Sequence, residues 1–412
     1  MTVTRADALA LDRADELAPF RDRFALPDDI LYLDGNSLGA LPKATPARLA
    51  ELVAAEWGRD LIRSWNIHGW IDLPFRVGDK IGRLIGAEPG TVVVADSTSV
   101  NLFKLIAAAL RLRPERRVIL SESENFPTDL YIAQGLISLL GDTHELRLVT
   151  PDAVAGAIDA EIAVVLLTHV NYRSGRMHDM KAVTRRAHAA GALIVWDLAH
   201  SAGAMPVDLT GSDADFAVGC GYKYLNGGPG APAFLYVAHR LQRAFHSPLT
   251  GWLGHAAPFA FDPRYRPAPG IAAAVVGTPP ILSLAALEIG IDLALEADLA
   301  AVRAKSLALA DLFTDCVAQR CEGLGLTLAS PSRGAERGSQ ICYAHPEGYA
   351  IMQALIARGV IGDFRAPDIL RFGFTPLYTS FADVFDAVEI LRAVLASGEW
   401  DQPAFKQRAA VT

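Results

Sequence analysis

Leu193-Ile194-Val195-Trp196-Asp197-Leu198-Ala199-His200 is a buried-looking apolar run that stops at an acid and turns. Further on, Phe216-Ala217-Val218 runs in the same way into Gly219-Cys220-Gly221-Tyr222-Lys223-Tyr224-Leu225-Asn226-Gly227-Gly228-Pro229-Gly230. Short β-branched runs bounded by turn residues read as strands. The signal recurs at Val92 to Ala95, Val118 to Leu120, Ile162 to Leu167 and Phe234 to Val237, with longer helical patterns between. Strands alternating with helices predict an α/β fold, a mostly parallel sheet with helices on both faces. Ligands of such sheets collect at the carboxyl ends of the strands, where Asp197 and Lys223 stand.

From Ile281 the character changes. The run to about Phe313 is rich in Leu and Ala, with Glu288, Asp292, Glu296 and Asp298 at helical intervals, which predicts one long helix or two abutting ones after Pro279 and Pro280. The expected organisation is an N-terminal segment over 1–50, a large α/β domain over 51–281 and a smaller α+β domain over 282–412. Asp34-Gly35-Asn36-Ser37 reads as a turn by composition.

The chain of 412 residues is long enough for two or three domains, and 51% hydrophobic against 20% charged residues excludes a disordered polymer. A net charge of −8 and a pI of about 5.7 lack the basic footprint of a nucleic-acid binder and favour a small-molecule substrate. Cys220, Cys316, Cys321 and Cys342 fall at no metal-ligand or CxxC spacing, so reduced thiols and no metal are expected. The N-terminus is charged every few residues, unlike a secretory signal, and no apolar stretch is long enough to span a membrane. A cytoplasmic location is the expectation.

Three places carry chemistry-bearing residues. Lys223, among aromatics and glycines at a strand end, is either a loop lysine or an amine desolvated enough to condense with a carbonyl. Asp197, at a strand end, is either a cap or the partner of a cation such as a protonated pyridine nitrogen. Asp96-Ser97-Thr98-Ser99-Val100-Asn101 precedes a helical pattern, where hydroxyls cap helices and also bind phosphate. A phosphate-type turn, a strand-end aspartate and a glycine-flanked lysine, in that order, are the parts needed to hold pyridoxal 5′-phosphate (PLP).

With Leu33-Asp34-Gly35-Asn36-Ser37-Leu38-Gly39, Ser64-Trp65, Asn125-Phe126-Pro127-Thr128-Asp129 and Ile369-Leu370-Arg371-Phe372-Gly373-Phe374 added, the chain resembles the bacterial kynureninases over nearly its whole length. These are PLP enzymes of fold type I in the aminotransferase class V superfamily. The resemblance implies hydrolysis of L-kynurenine to anthranilate and L-alanine, a Cβ–Cγ cleavage in tryptophan catabolism and NAD biosynthesis. It implies Lys223 in imine linkage with the cofactor, Asp197 on the pyridine nitrogen, and Tyr222 as an acid or base near the phosphate. Ser97, Thr98, Tyr222 and Trp252 would hold the phosphate, with Thr278 nearby or contributed from a second subunit. Phe126 would stack on the ring, and Asp129, Thr168 and His200 would complete its polar shell. Arg371 would clamp the substrate carboxylate, with Trp65 and Thr278 near the aromatic end. A homodimer is implied, the N-terminal segment packing with the small domain and the partner.

Read alone, several of these residues have plainer uses: Phe126 as a core aromatic, Trp252 as packing, Thr168 in a turn, His200 as a core or surface histidine, and Arg371 paired with Asp363 or Asp368. Two rival functions remain. One is another class V enzyme, a cysteine desulfurase or an aminotransferase, the former needing an exposed reactive thiol that none of the four cysteines suggests. The other is a binding module that keeps the cofactor fold without catalysis.

Overall fold

The expected strands become parts of one seven-stranded sheet: β1 (Val92–Val94), β2 (Val118–Glu122), β3 (Glu145–Val149), β4 (Ile162–Thr168), β5 (Leu193–Asp197), β6 (Phe216–Gly219) and β7 (Phe234–Val237). The computed structural model describes residues 3–408. The strand order is β1-β7-β6-β5-β4-β2-β3; β7 runs antiparallel to both neighbours and the remaining pairs are parallel. β2, β4, β5, β6 and β7 are buried at every position, which is why they read as unbroken apolar runs. β3 gives no such signal: it is an edge strand, half exposed, with charged residues among its apolar ones.

The helices of this unit include α1 (Leu73–Leu84), α2 (Thr98–Arg111), α3 (Pro127–Leu139), α4 (Met180–Ala189) and α5 (Ile281–Glu296). α2 buries Leu102, Leu105, Ile106 and Ala109 in the same core as Val195 of β5 and Val218 of β6. The Leu- and Ala-rich run resolves into two helices, α5 and α6 (Leu299–Arg320), separated by Asp298, whose side chain caps α6.

The chain divides into two compact units, one of Thr45–Asn171 with His178–Leu295, the other of the chain up to Ala44, Tyr172–Met177 and the chain from Glu296 onward. The divisions expected from sequence fall at 50/51 and 281/282. α5 stays with the larger unit because its acids face α1: Arg76 Nε lies 3.0 Å from Glu288 and Lys80 Nζ 2.7 Å from Asp292.

In the smaller unit, β8 (Thr327–Leu328), β9 (Gln340–Ala344), β10 (Asp363–Arg365) and β11 (Ile369–Gly373) form an antiparallel sheet in the order β10-β11-β9-β8. Phe313 of α6 packs on Phe372 and Phe374 with ring centres 4.8 and 5.7 Å away. α7 (Gly348–Ala357) and α8 (Phe381–Ser397) join the same core. The N-terminal segment belongs here: Leu31–Tyr32 pairs in parallel with Val360–Ile361, and Asp12 accepts the first N–H groups of α8 from Phe381 and Ala382.

Candidate active site

The carboxyl ends of three adjacent strands gather the polar residues of the larger unit. Thr168 ends β4 directly opposite Asp197, which ends β5, and the turn after β2 delivers Asn125 and Phe126 to the start of α3. Asn125 is held from both sides: its Nδ2 donates to Ser121 Oγ at 3.0 Å, and its Oδ1 accepts from the Phe126 N–H at 2.7 Å. Thr168 Oγ1 donates to that same Oδ1 and lies 3.5 Å from Asp129 Oδ2. A threonine has one hydroxyl proton. With it on Asn125, Asp129 reaches Thr168 as a hydrogen bond only when it is itself the protonated donor.

Electrostatics agree. Burial, with the neighbouring charge of Asp197, pushes Asp129 well above the usual carboxylate range, against the pull of Thr168 and Lys223. Burial raises Asp197 too, opposed by the Ala199 N–H, which donates to it at 2.7 Å, and by Lys223. Asp129 Oδ1 is buried with no hydrogen-bond partner. Two carboxyls therefore sit out of water, one oxygen of Asp129 without a donor, an arrangement that a cation or a donor from a ligand would relieve.

Lys223 follows β6 in a tightly bound loop. The Asn226 N–H donates to the Lys223 carbonyl at 2.9 Å, and the Gly227 N–H to the Gly221 carbonyl at 2.9 Å. Lys223 Nζ lies 2.9 Å from His200 Nε2, which accepts from it, and 5.9 Å from the ring centre of Tyr222. Lys223, His200, Asp197, Asp129 and Thr168 are thus brought into one neighbourhood.

Ser97 and Thr98 stand at the other edge of the sheet, where β1 turns through Asp96 at φ +51° into α2. Ser97 is exposed and its hydroxyl accepts from the Val100 N–H at 3.3 Å, so it caps the helix while its turn stays open to solvent. Sequence reasoning missed what lies beneath. Lys104 of α2 is fully buried, pairs with Asp96, and donates to Asn101 Oδ1 at 3.2 Å and the Ala274 carbonyl at 2.9 Å. Burial lowers its pKa and Asp96 opposes the fall. A lysine on the apolar face of an otherwise hydrophobic helix was the available signal.

Thr278 is exposed in a cavity of about 280 Å³ that Asp96 also lines. Trp252 and Phe126 are each 41% exposed, so neither is a core aromatic; Trp252 meets Phe259 edge-on at 5.8 Å. Trp65 is half-buried and edge-on to Trp70 at 5.9 Å.

Arg371 lies in the smaller unit, fully buried in β11 opposite Asp363 of β10. Its Nε donates to Asp363 Oδ1 at 2.7 Å, its Nη2 to Asp363 Oδ2 and to Ser37 Oγ at 2.7 Å, and its Nη1 to the Tyr172 carbonyl at 2.7 Å. Of the two acids the sequence offered, Asp363 is the partner, while Asp368 pairs with Arg173 at 3.2 Å. Asn36 and Ser37, which composition reads as turn formers, build this cluster; their signal was only their place beside Asp34.

Against known proteins, residues 302–391 match the kynureninase C-terminal domain. The chain is 58% identical over 414 aligned residues to a kynureninase of Burkholderia pseudomallei, covering 99% of this chain and all of that one. It belongs to the kynureninase family. A Pseudomonas fluorescens kynureninase is 56% identical over the same span. Among solved structures, a cysteine desulfurase from Thermococcus onnurineus superposes with TM-score 0.77 at 18% identity over 92% of this chain and 98% of its own. A cystine C–S lyase mutant with glycine covalently linked to its PLP cofactor gives TM-score 0.78 at 16% identity over 91% and 98%. At that identity the likeness carries the fold, that of fold type I PLP enzymes, and nothing finer. All four cysteines are buried, and burial pushes Cys321 and Cys342 up to about 11, the reverse of a reactive thiolate. Among the described residues no helix is long and apolar enough to cross a membrane.

Proposed function

We propose that this protein is a PLP-dependent hydrolase that cleaves L-kynurenine between Cβ and Cγ to give anthranilate and L-alanine. The observation that carries the reading is the pair of buried carboxyls beside Lys223, one oxygen of Asp129 without a donor, in a chain of this family. The residues fit the cofactor: buried Asp197, raised by burial, would be relieved by a protonated pyridine nitrogen, Asp129 Oδ1 lacks a donor, and Phe126 is 41% exposed. Bound there, PLP supplies an aldehyde that condenses with amines and a protonated ring that withdraws electrons from the substrate Cα.

The chain's own residues do the rest. Lys223 holds the cofactor and, once the substrate amine has displaced it, moves a proton at Cα; His200 Nε2, 2.9 Å away, aims it. Asp197 keeps the ring nitrogen protonated. Tyr222 serves as the acid or base at Cβ and for hydration of the γ-ketone. Ser97, Thr98, Tyr222, Trp252 and Thr278 receive the phosphate at the open turn over the Asp96–Lys104 pair. Asp129 and Thr168 complete the polar shell, Arg371 takes the α-carboxylate, and Trp65 with Thr278 borders the aromatic end. Water adds to the γ-carbonyl, the acyl half leaves as anthranilate and the amino-acid half as alanine.

The protein further reads as a cytoplasmic homodimer of tryptophan catabolism. A groove of about 390 Å³ lined by Leu52, Trp57, Trp70, Ile281 and Leu282, beside exposed Leu61 and Ile62, supports an apolar subunit contact. The test is to incubate the PLP-loaded protein with L-kynurenine. Anthranilate and alanine in equal amounts are expected; sulfide from cysteine with no anthranilate would overturn the reading.

A further inference from the structure

Two guanidinium groups and two carboxylates share one pocket of the smaller unit. Asp363, buried, accepts from Arg371 through both oxygens, and its Oδ2 also takes Arg365 Nη2 and the Ser37 hydroxyl, the latter at 2.9 Å. Asp34 is the second acid. Asn36 sits between it and Arg371: with its amide set by its neighbours, the nitrogen donates to Asp34 Oδ1 at 3.2 Å, and the oxygen lies 3.1 Å from Arg371 Nε, whose one hydrogen goes to Asp363. The backbone leaves no slack, since a Cβ at Gly35 would meet Tyr378 Oη at 2.2 Å and one at Gly373 would meet the Asn36 amide at 2.0 Å.

With both acids ionised the cluster is already neutral. Four of the five N–H bonds of Arg371 are used, leaving one on Nη1. A carboxylate arriving there adds a third negative charge to two positive ones, which a buried site resists unless a charge is removed. Asp363 cannot yield, held by two guanidiniums and a hydroxyl. Asp34 takes the Asn36 amide, while the Ser37 hydroxyl beside it already gives its one proton to Asp363.

We propose that Asp34 gives up its charge when a carboxylate ligand docks on Arg371, so that anion binding to this cluster takes up a proton from solvent. The proposal rests on the reading of Arg371 as the holder of the substrate carboxylate. Burial and the charge of Asp363 push Asp34 up to about 7, against the pull of Arg371, Ser37 and Arg365. Burial pushes Asp363 up, but Arg371, Arg365 and Ser37 together outweigh it and hold it below the usual range. Among the other titratable neighbours, Tyr32 and Tyr378 beside Asp34 and Cys342 beside Arg371 are pushed upward by burial and stay neutral in this range.

The consequence is a pH-dependent affinity. Above pH 7 ionised Asp34 must be protonated on binding, so affinity falls by up to tenfold per pH unit; below it the cost vanishes. The probe is 4-(2-aminophenyl)-4-oxobutanoate, which keeps the carboxylate and aryl ketone of kynurenine but lacks the α-amine that would react with the cofactor. Calorimetry of the holoenzyme at pH 8, in buffers of different ionisation enthalpy, should show uptake approaching one proton. Asp34→Asn should abolish that uptake and flatten the pH dependence. No uptake by the unaltered enzyme, or unchanged uptake in Asp34→Asn, overturns the proposal while leaving Arg371 in its role. If the methyl ester of the probe binds as tightly as the acid, the Arg371 reading and the proposal fall together.

Discussion

Gly290→Ala should damage catalysis from a helix that carries no catalytic group. Gly290 lies in α5, and a Cβ there would sit 2.2 Å from the Leu225 carbonyl oxygen and 2.9 Å from Asn226 backbone atoms, where ordinary contact begins at 3.4 Å. The helix or the loop holding Lys223 must therefore move by about 1 Å. Replacing glycine inside a helix gains about 1 kcal/mol of propensity, while overpacking costs about 1–3 kcal/mol. Both obstructing groups are backbone, so the upper part of that cost applies and a net loss of about 1–2 kcal/mol is expected. Catalysis suffers more, because a 1 Å displacement of a reacting group can cost about 10²-fold. The assay is kcat/KM for kynurenine with urea denaturation alongside, and Gly135→Ala as control. Gly135 sits on the exposed side of α3, and a methyl added there would meet nothing within 4 Å, so that variant should keep full activity and gain about 0.5–1 kcal/mol. If Gly290→Ala behaved like the control, the claim that α5 sets the position of Lys223 would be wrong.

Lys104→Met should weaken both stability and cofactor retention. It strands the Asn101 oxygen and the Ala274 carbonyl, each worth about 1–3 kcal/mol when buried without a donor, and frees the Asp96 turn. Cofactor lost on dialysis no faster than from the unaltered protein would separate Lys104 from the phosphate turn. A pH effect resides at His188, whose pKa is raised chiefly by its 2.9 Å hydrogen bond to buried Asp215. A histidine raised above its unfolded value near 6.5 contributes fully below that pH and loses its contribution as pH rises through the folded value. The stability difference between the unaltered protein and His188→Gln should thus be larger at pH 6 than at pH 8.5 by urea denaturation, and the opposite order would contradict the ion pair.

Strand positions were legible because the central strands are buried throughout, so composition alone marks them. β3 was not, since an edge strand mixes charged with apolar residues. The direction of β7 escaped for a different reason: pairing sense depends on connections, and its apolar run reads alike in either direction. Asp197 and Lys223 were visible as polar residues ending apolar runs. Asn36 and Ser37 were not, because each acts through a partner distant in sequence; Lys104 carried a signal that went unread, a lysine on an apolar helix face, and Asp363 was legible only as one of two acids for Arg371. Asn125 stood in a quoted motif, yet only the structure shows that its oxygen takes the Thr168 hydroxyl proton and so leaves Asp129 as a donor.

The measurement closest to the central claim is borohydride reduction of the PLP-loaded protein followed by peptide mapping. The account predicts a single phosphopyridoxyl adduct on Lys223. An adduct on Lys104 or any other lysine, or none at all, would contradict it.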